Sequence, residues 1–312
     1  MVAKISYLVF FLFLVVGCFG TKPDADNLET TEEKEAFQKN VYTKGPFVNS
    51  IARGGLTSRS FGTKKAKALV QEYVKEVTAA SEGSKEKAEA FNNLIIAQRL
   101  AGTTTENVYN TMKKLANHEA GEQGFGKNEN AYLELALAGI NNSDYSFSEF
   151  YLNDLVESKN TVIKASALNA IGVIHFAEGR EPEAIQTWQN VLKVVDNFQA
   201  AYLNLGFAYL MFGHFEKAAS FLAKVEGDWY AQSGQLISFK NLGDSEKTAD
   251  TCTEVLKHVP NHKQTLFNCG VYYWQVKKNS KMAKEYIDKA LKIPGGPESW
   301  ATSGKKVFDS IH

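Results

Sequence analysis

Little in this 312-residue sequence would interrupt a helix. It holds six prolines, and Pro260, Pro294 and Pro297 stand where helical patterns stop. Scarce proline beside abundant Ala, Leu, Lys and Glu favours helix. No convincing alternation of apolar and polar residues marks a strand, so a sheet protein is not expected. A surplus charge is also missing. Lys plus Arg and Asp plus Glu are both 35, so there is no basic face to draw nucleic acid, and none is expected as a partner. Long apolar runs are missing too: the only candidate, Ile5 to Val16, falls short of the ~20 residues a membrane span needs. Cysteine is rare, at three residues, so the position of each one matters. What is present is enough to bury a core. The chain is 44% hydrophobic and 22% charged, which suits one or two domains or one elongated repeat array.

The apolar run follows Lys4 and ends in Val15, Val16, Gly17 and Cys18, the layout of a signal peptide rather than a span. This segment resembles a bacterial lipobox. The resemblance implies cleavage before Cys18, diacylglycerol on its sulfur, and a mature protein anchored to a membrane. Gly17 meets the small-residue requirement beside the cut, and Val15 the aliphatic one. Phe19 rather than Asp follows, so no inner-membrane retention signal is evident. The expected location is the bacterial cell envelope, at the outer membrane, facing the periplasm or the cell surface.

The expected organisation runs as follows. Residues 1–17 are the signal peptide, and 18–62 the lipidated Cys18 with a tether and extended segment. The tether, Thr21 to Gln38, is polar and acid-leaning. Phe37 to Gly62 mixes aromatics with glycines, as a segment ordered only by docking would. Residues 63–160 read as divergent helical hairpins. Ala66, Leu69, Val70, Tyr73, Val74 and Val77 recur at spacings of three and four; Ala88 to Leu100 continues the pattern, and Thr105 would cap a helix carrying Val108, Met112 and Leu115. Ala131 to Ile140 and Phe147 to Val156 form a further pair.

From Ala165 the chain repeats itself. Leu168, Ile171, Gly172, Gly179, Ala184, Trp188 and Val191 fall on Tyr202, Leu205, Gly206, Gly213, Ala218, Leu222 and Val225, all at an offset of 34 residues. These residues and this period resemble the tetratricopeptide-repeat family. The resemblance implies an all-α fold: a right-handed superhelical solenoid of antiparallel helix pairs. Gly172 with Ala184 and Gly206 with Ala218 would be close helix crossings, with larger residues filling space on either side. A degenerate copy follows around Gly234 to Pro260, in which Thr248 replaces the expected alanine. Another copy, Thr265 to Pro294, matches after a one-residue insertion. The repeats occupy residues 161–296, and residues 297–312 read as a capping helix that closes the exposed core.

Three features of catalytic or ligand-binding type carry little. Gly121 to Lys127 has phosphate-loop spacing, but Asn128 replaces the magnesium-binding hydroxyl and no strand precedes it. His258 and His262 flank Pro260, which breaks the helix that would align them as metal ligands with Cys252 nearby. Carboxylates sit in the charge patterns of solvated faces. No catalytic residue, metal or cofactor is expected, and the chain is not read as an enzyme. Cys252 and Cys269 align with inward positions on neighbouring helices in an oxidising compartment, so a disulfide and two buried thiols are both open.

Proteins of the resembled family that carry a lipid anchor help assemble envelope machines. The expected function is therefore a membrane-anchored scaffold or adaptor for other proteins. The alternatives are a lipoprotein that binds a small ligand or acts as an enzyme through its divergent N-terminal half, and a surface adhesin. In this family the first helix of each repeat lines a concave face, where a protein partner binds. Here that groove would be Asn169, Val173, Phe176, Leu203, Phe207, Leu210, Met211, Ile237, Phe267, Val271 and Trp274. Its apolar character suits an apolar or amphipathic segment of a partner, and filling of the groove by the chain's own residues 37–61 is the alternative. Only Asn169, Lys240 and Asn241 resemble the lining that clamps a terminal carboxylate. Nothing in the sequence speaks to the oligomeric state.

Overall fold

A computed structural model describes residues 63–79, single positions between 90 and 98, and residues 129–141, 143–225, 227–293 and 298–311. The signal peptide, Cys18, the tether, Phe37 to Gly62, the Thr105 helix and Gly121 to Lys127 lie outside the described residues. Among the described residues every regular element is a helix, and none is long and apolar enough to cross a membrane. In chain order they are α1 (Thr63–Ala79), α2 (Glu129–Asn141), α3 (Tyr145–Leu155), α4 (Thr161–Ala177), α5 (Glu181–Val194), α6 (Gln199–Met211), α7 (Phe215–Leu222), α8 (Trp229–Leu242), α9 (Ser245–His258), α10 (Lys263–Gln275), α11 (Ser280–Lys292) and α12 (Glu298–Asp309).

The chain divides into two compact units between Ala201 and Tyr202, inside α6 and inside the block read as continuous repeats. In the first unit α1 buries Tyr73, but leaves Val74 45% exposed, so the apolar stripe is narrower than its spacing suggests. Ala90, Leu94 and Ala97 are buried and helical. α2 packs on α3 and on α4, and Leu133, Leu135, Leu137, Leu152, Leu155, Ile163 and Ile174 form one core. The caps are local chemistry. Asp144 accepts from the Phe147 backbone N–H, and Asn160 from those of Val162 and Ile163, meeting donors that a helix start leaves unpaired.

In the second unit α7 packs on α8, α8 on α9, α9 on α10, α10 on α11 and α11 on α12. Asp228 caps α8, Asp244 caps α9 and Asn279 caps α11. α12 ends the stack. Val307, Phe308 and Ile311 close over Leu266, Phe267, Ile287 and Ala290, and an ideal Cβ on Gly304 would stand 2.9 Å from Leu291 Cδ2.

The close crossings are built differently from the expected glycine–alanine pairs. Ala184, Ala218 and Ala283 are fully buried, but the neighbours that crowd the glycines lie one turn further on. A Cβ on Gly172 would collide with the Trp188 indole, and one on Gly270 with Ile287. One on Gly206 would stand 2.5 Å from Leu222 Cγ. Each glycine therefore clears room for a large side chain of the second helix. The indole so accommodated also donates from Nε1 to the Asn169 carbonyl at 3.1 Å, which satisfies a group with no exposure to water.

The pair α8–α9 solves the same crossing in reverse. Leu236 stands twelve residues before Thr248, as Gly172 stands before Ala184 and Gly206 before Ala218. The large partner is then replaced by a small one, Cys252. Thr248 is fully buried in the alanine place, its hydroxyl donating to the Asp244 carbonyl at 2.6 Å. That bond is what lets a polar residue stand there. The one-residue insertion of the last copy falls in the turn between α10 and α11. In the earlier pairs the turn places Gly179, Gly213 and Gly243 at φ +76°, +73° and +76°.

Candidate functional site

The expected groove residues fall in both units, and each is described within its own. In the first unit Asn169 is fully buried and Val173 is 8% exposed, while Phe176 is half-buried with its ring 5.9 Å from Trp188. In the second unit Leu203, Phe207, Leu210, Ile237 and Phe267 are all buried. The concave reading is corrected for these seven residues: they are packed interior and offer no surface to a partner. For Phe207 and Phe267 the physical reason is visible. Phe207 lies against Gly234, whose ideal Cβ would stand 3.1 Å from the ring, and 4.9 Å from the Tyr230 ring. Phe267 is covered by α12, 3.6 Å from the ideal Cβ of Gly304. First helices of successive pairs touch directly, as α8 does α10, so side chains aimed between them are buried. Met211, Val271 and Trp274 are half-buried and remain reachable.

Lys240 stands on α8. Its Nζ donates to Asn268 Oδ1 at 3.0 Å, joining α8 to α10, and burial pulls the amine down to about 8. No carboxylate faces it among the described residues, so the cation is held by a neutral acceptor. Asn241 is spent on its own helix, donating to the Ile237 carbonyl at 2.7 Å. The two residues therefore do not combine as a clamp. The sequence marks Lys240 only as resembling a carboxylate-clamp lining; its desolvation depends on a contact 28 residues along the chain.

Cys252 and Cys269 are joined by a disulfide, with Cα atoms 5.9 Å apart. It links α9 to α10 and packs with Leu236, Leu256 and Tyr286. The size exchange at Leu236 explains why a small residue stands at 252 and can reach across. His258 bonds Glu254 at 2.8 Å, whereas His262 bonds Thr265 at 2.7 Å and lies edge-on to Trp229. The two imidazoles therefore serve different elements. Among the described residues no three His, Cys, Asp or Glu side chains converge as metal ligands.

The helix pairs and their glycine crossings can be set against known proteins. A crystal structure of a tetratricopeptide repeat protein from Parabacteroides merdae superposes with a TM-score of 0.51 at 13% identity, covering 78% of this chain and 99% of that one. The fold is tetratricopeptide-like. Over 108 residues, 34% of this chain, the sequence is 26% identical to the photosystem I assembly protein Ycf3 of Prochlorococcus marinus, and the match spans 62% of that protein's length. No family model matches the chain. The tetratricopeptide-like stack is all helix among the described residues.

Proposed function

We propose that the chain is a membrane-tethered scaffold that holds another protein during assembly of a cell-envelope complex. One observation carries the reading: the described residues are spent on stacking helix pairs in a tetratricopeptide-like fold, an architecture whose extended surfaces suit protein ligands. The likeness to a protein named for assembly points the same way. Tethering rests on the signal-peptide pattern ending at Cys18, with the outer membrane as the location.

With seven groove residues in the interior, the contact surface is the strip left reachable on the second unit, Met211, Val271 and Trp274. It takes an apolar or amphipathic segment of the partner, because half-buried aromatic and aliphatic side chains gain most from being covered. The test is cross-linking and co-purification from the native envelope with the full chain and with Trp274→Glu. The expected result is a stoichiometric protein partner that is lost in the variant while the melting temperature holds. A parent chain that recovers no protein partner, or a small molecule retained in its place, overturns the scaffold reading. Fatty-acid labelling of Cys18→Ala examines the tether separately: normal labelling of that variant removes the anchor from the proposal.

A further inference from the structure

Three large apolar side chains of the second unit are partly exposed at corresponding places. Phe212, Leu242 and Val276 are 43%, 39% and 47% exposed, and each stands where the first helix of its pair ends. Short connections and direct packing make neighbouring helices antiparallel, with Gly206 against Leu222 and Phe207 against Gly234, so the first helices α6, α8 and α10 run in one direction. Their turns therefore lie at one end of the unit, and the three apolar tips with them.

The last of these turns is also the most basic place in the unit. Lys277, Lys278, Lys281 and Lys284 fall within eight residues and are all exposed, and none of the four is in an ion pair among the described residues. The acids of α11 are taken by other lysines: Glu285 by Lys289 at 2.7 Å, and Asp288 by Lys292 at 2.6 Å. Acids at the same end are Glu216, Asp244 and Glu246, and Asp244 is held by Lys247 at 2.9 Å. Lys277 reaches back over the Tyr272 ring, 5.9 Å from its centroid. The turn is unusual in its backbone as well. Where the earlier pairs place glycine, this one places Lys278 at φ +53°, a conformation that disfavours a side chain. The four lysines outnumber the acids near them, Lys281 acting on Glu285 only as a second charge behind Lys289, and that surplus suits an anionic partner.

We propose that this end of the second unit is a membrane contact that binds an anionic lipid surface. The lysines meet headgroup phosphates, and Phe212, Leu242 and Val276 enter the interfacial layer. Apolar tips and unpaired cations on one edge are the two ingredients of interfacial binding, and an acidic protein would use only the second. The inference rests on the tether reading in one respect, that a membrane is within reach. A basic patch beside a lipid anchor adds an electrostatic hold on anionic lipid.

The test is flotation of full-length Cys18→Ala protein with vesicles of phosphatidylcholine, or of equal parts phosphatidylcholine and phosphatidylglycerol. The apolar leader contributes to both compositions, so the difference between them reads the lysines. The expected result is stronger binding to the anionic vesicles that weakens as salt is raised. At about fivefold per lysine, Lys277→Gln, Lys278→Gln and Lys281→Gln together lower the anionic partition coefficient by about 100-fold. Lys278→Gly restores the usual turn residue and lowers binding by about fivefold with the fold intact. Equal partition on the two compositions overturns the proposal, as does a triple variant that binds like the parent. Capture by poly-glutamate through the same lysines, without vesicle binding, also overturns it and makes the occupant an acidic protein. Because the lipid anchor is absent throughout, a failure of Cys18 lipidation in cells would leave this result standing.

Discussion

The pairs α10–α11 and α8–α9 sit side by side in the same unit and fill the same crossing by opposite means. In α10–α11 the first helix contributes glycine and the second a large residue, Ile287, as Gly206 and Leu222 do in α6–α7. In α8–α9 the first helix contributes Leu236 and the second a small residue, Cys252. Volume is conserved while its source moves from one helix to the other, which a close-packed interior tolerates far better than a gain or loss of volume. The exchange has a consequence that the regular pairs cannot share: a thiol now faces α10, and the disulfide follows.

The comparison breaks most sharply at Leu236. Leu236→Gly leaves a cavity in a fully buried place and puts glycine in mid-helix, and is expected to cost about 3–5 kcal/mol. Adding Cys252→Leu should recover part of that loss, measured by denaturant unfolding against Cys252→Leu alone in a Cys269→Ala background. Strict additivity of the two changes would mean that they do not share a cavity. Next comes the disulfide, which closes a sequence separation of 17 residues. Reductant is expected to lower stability by about 3 kcal/mol, and to do nothing to a chain carrying Cys252→Ala and Cys269→Ala. An unchanged melting temperature in reductant would show that the staple contributes nothing.

Gly206→Leu probes the regular arrangement. It drives a side chain into Leu222 and should cost about 1–3 kcal/mol, whereas Lys217→Leu on the exposed face of α7 should be nearly silent. Equal melting temperatures for the two would argue against a close crossing at Gly206. The smallest effect concerns Lys240, which joins the unusual pair to the regular one. Its amine titrates at about 8 when folded, against an ordinary value of 10.5. The unfolded chain therefore binds more protons between those values, and stability rises as pH climbs through that window. Below it both states are protonated and the penalty is constant. Because the side chain is only half-buried, the rise is on the order of 1 kcal/mol, and it should vanish in Lys240→Met. A flat profile in the parent would show that the amine stays hydrated.

Helix content, the pairing of helices and the repeat period were legible in the sequence because they are local. A 34-residue offset, glycines at the turns, and apolar spacings of three and four each depend on neighbours close along the chain. Residue size at single positions was legible as well: glycine at 172, 206 and 270 announces a close approach whatever makes it. The expected groove failed for a reason of a different kind. Side chains such as Phe207 and Phe267 occupy the family's inward-lining positions, and position alone cannot tell an open face from a packed one. That depends on how near the next first helix lies and on where α12 folds back. Leu236 and Cys252 taught the same lesson from the other side, since each taken singly looks like a degenerate repeat position and only together do they make a conserved volume.

By itself the sequence determined that the chain builds stacked helix pairs, where they turn, and which residues are small or large at their crossings, because backbone propensity and side-chain volume are properties of residues. Only the tertiary structure decided which of those side chains are spent inside, which cysteines meet, and which lysines are left without a counter-charge. Burial, bridging and ion pairing are relations between segments brought together by packing, and they have no value until the helices touch.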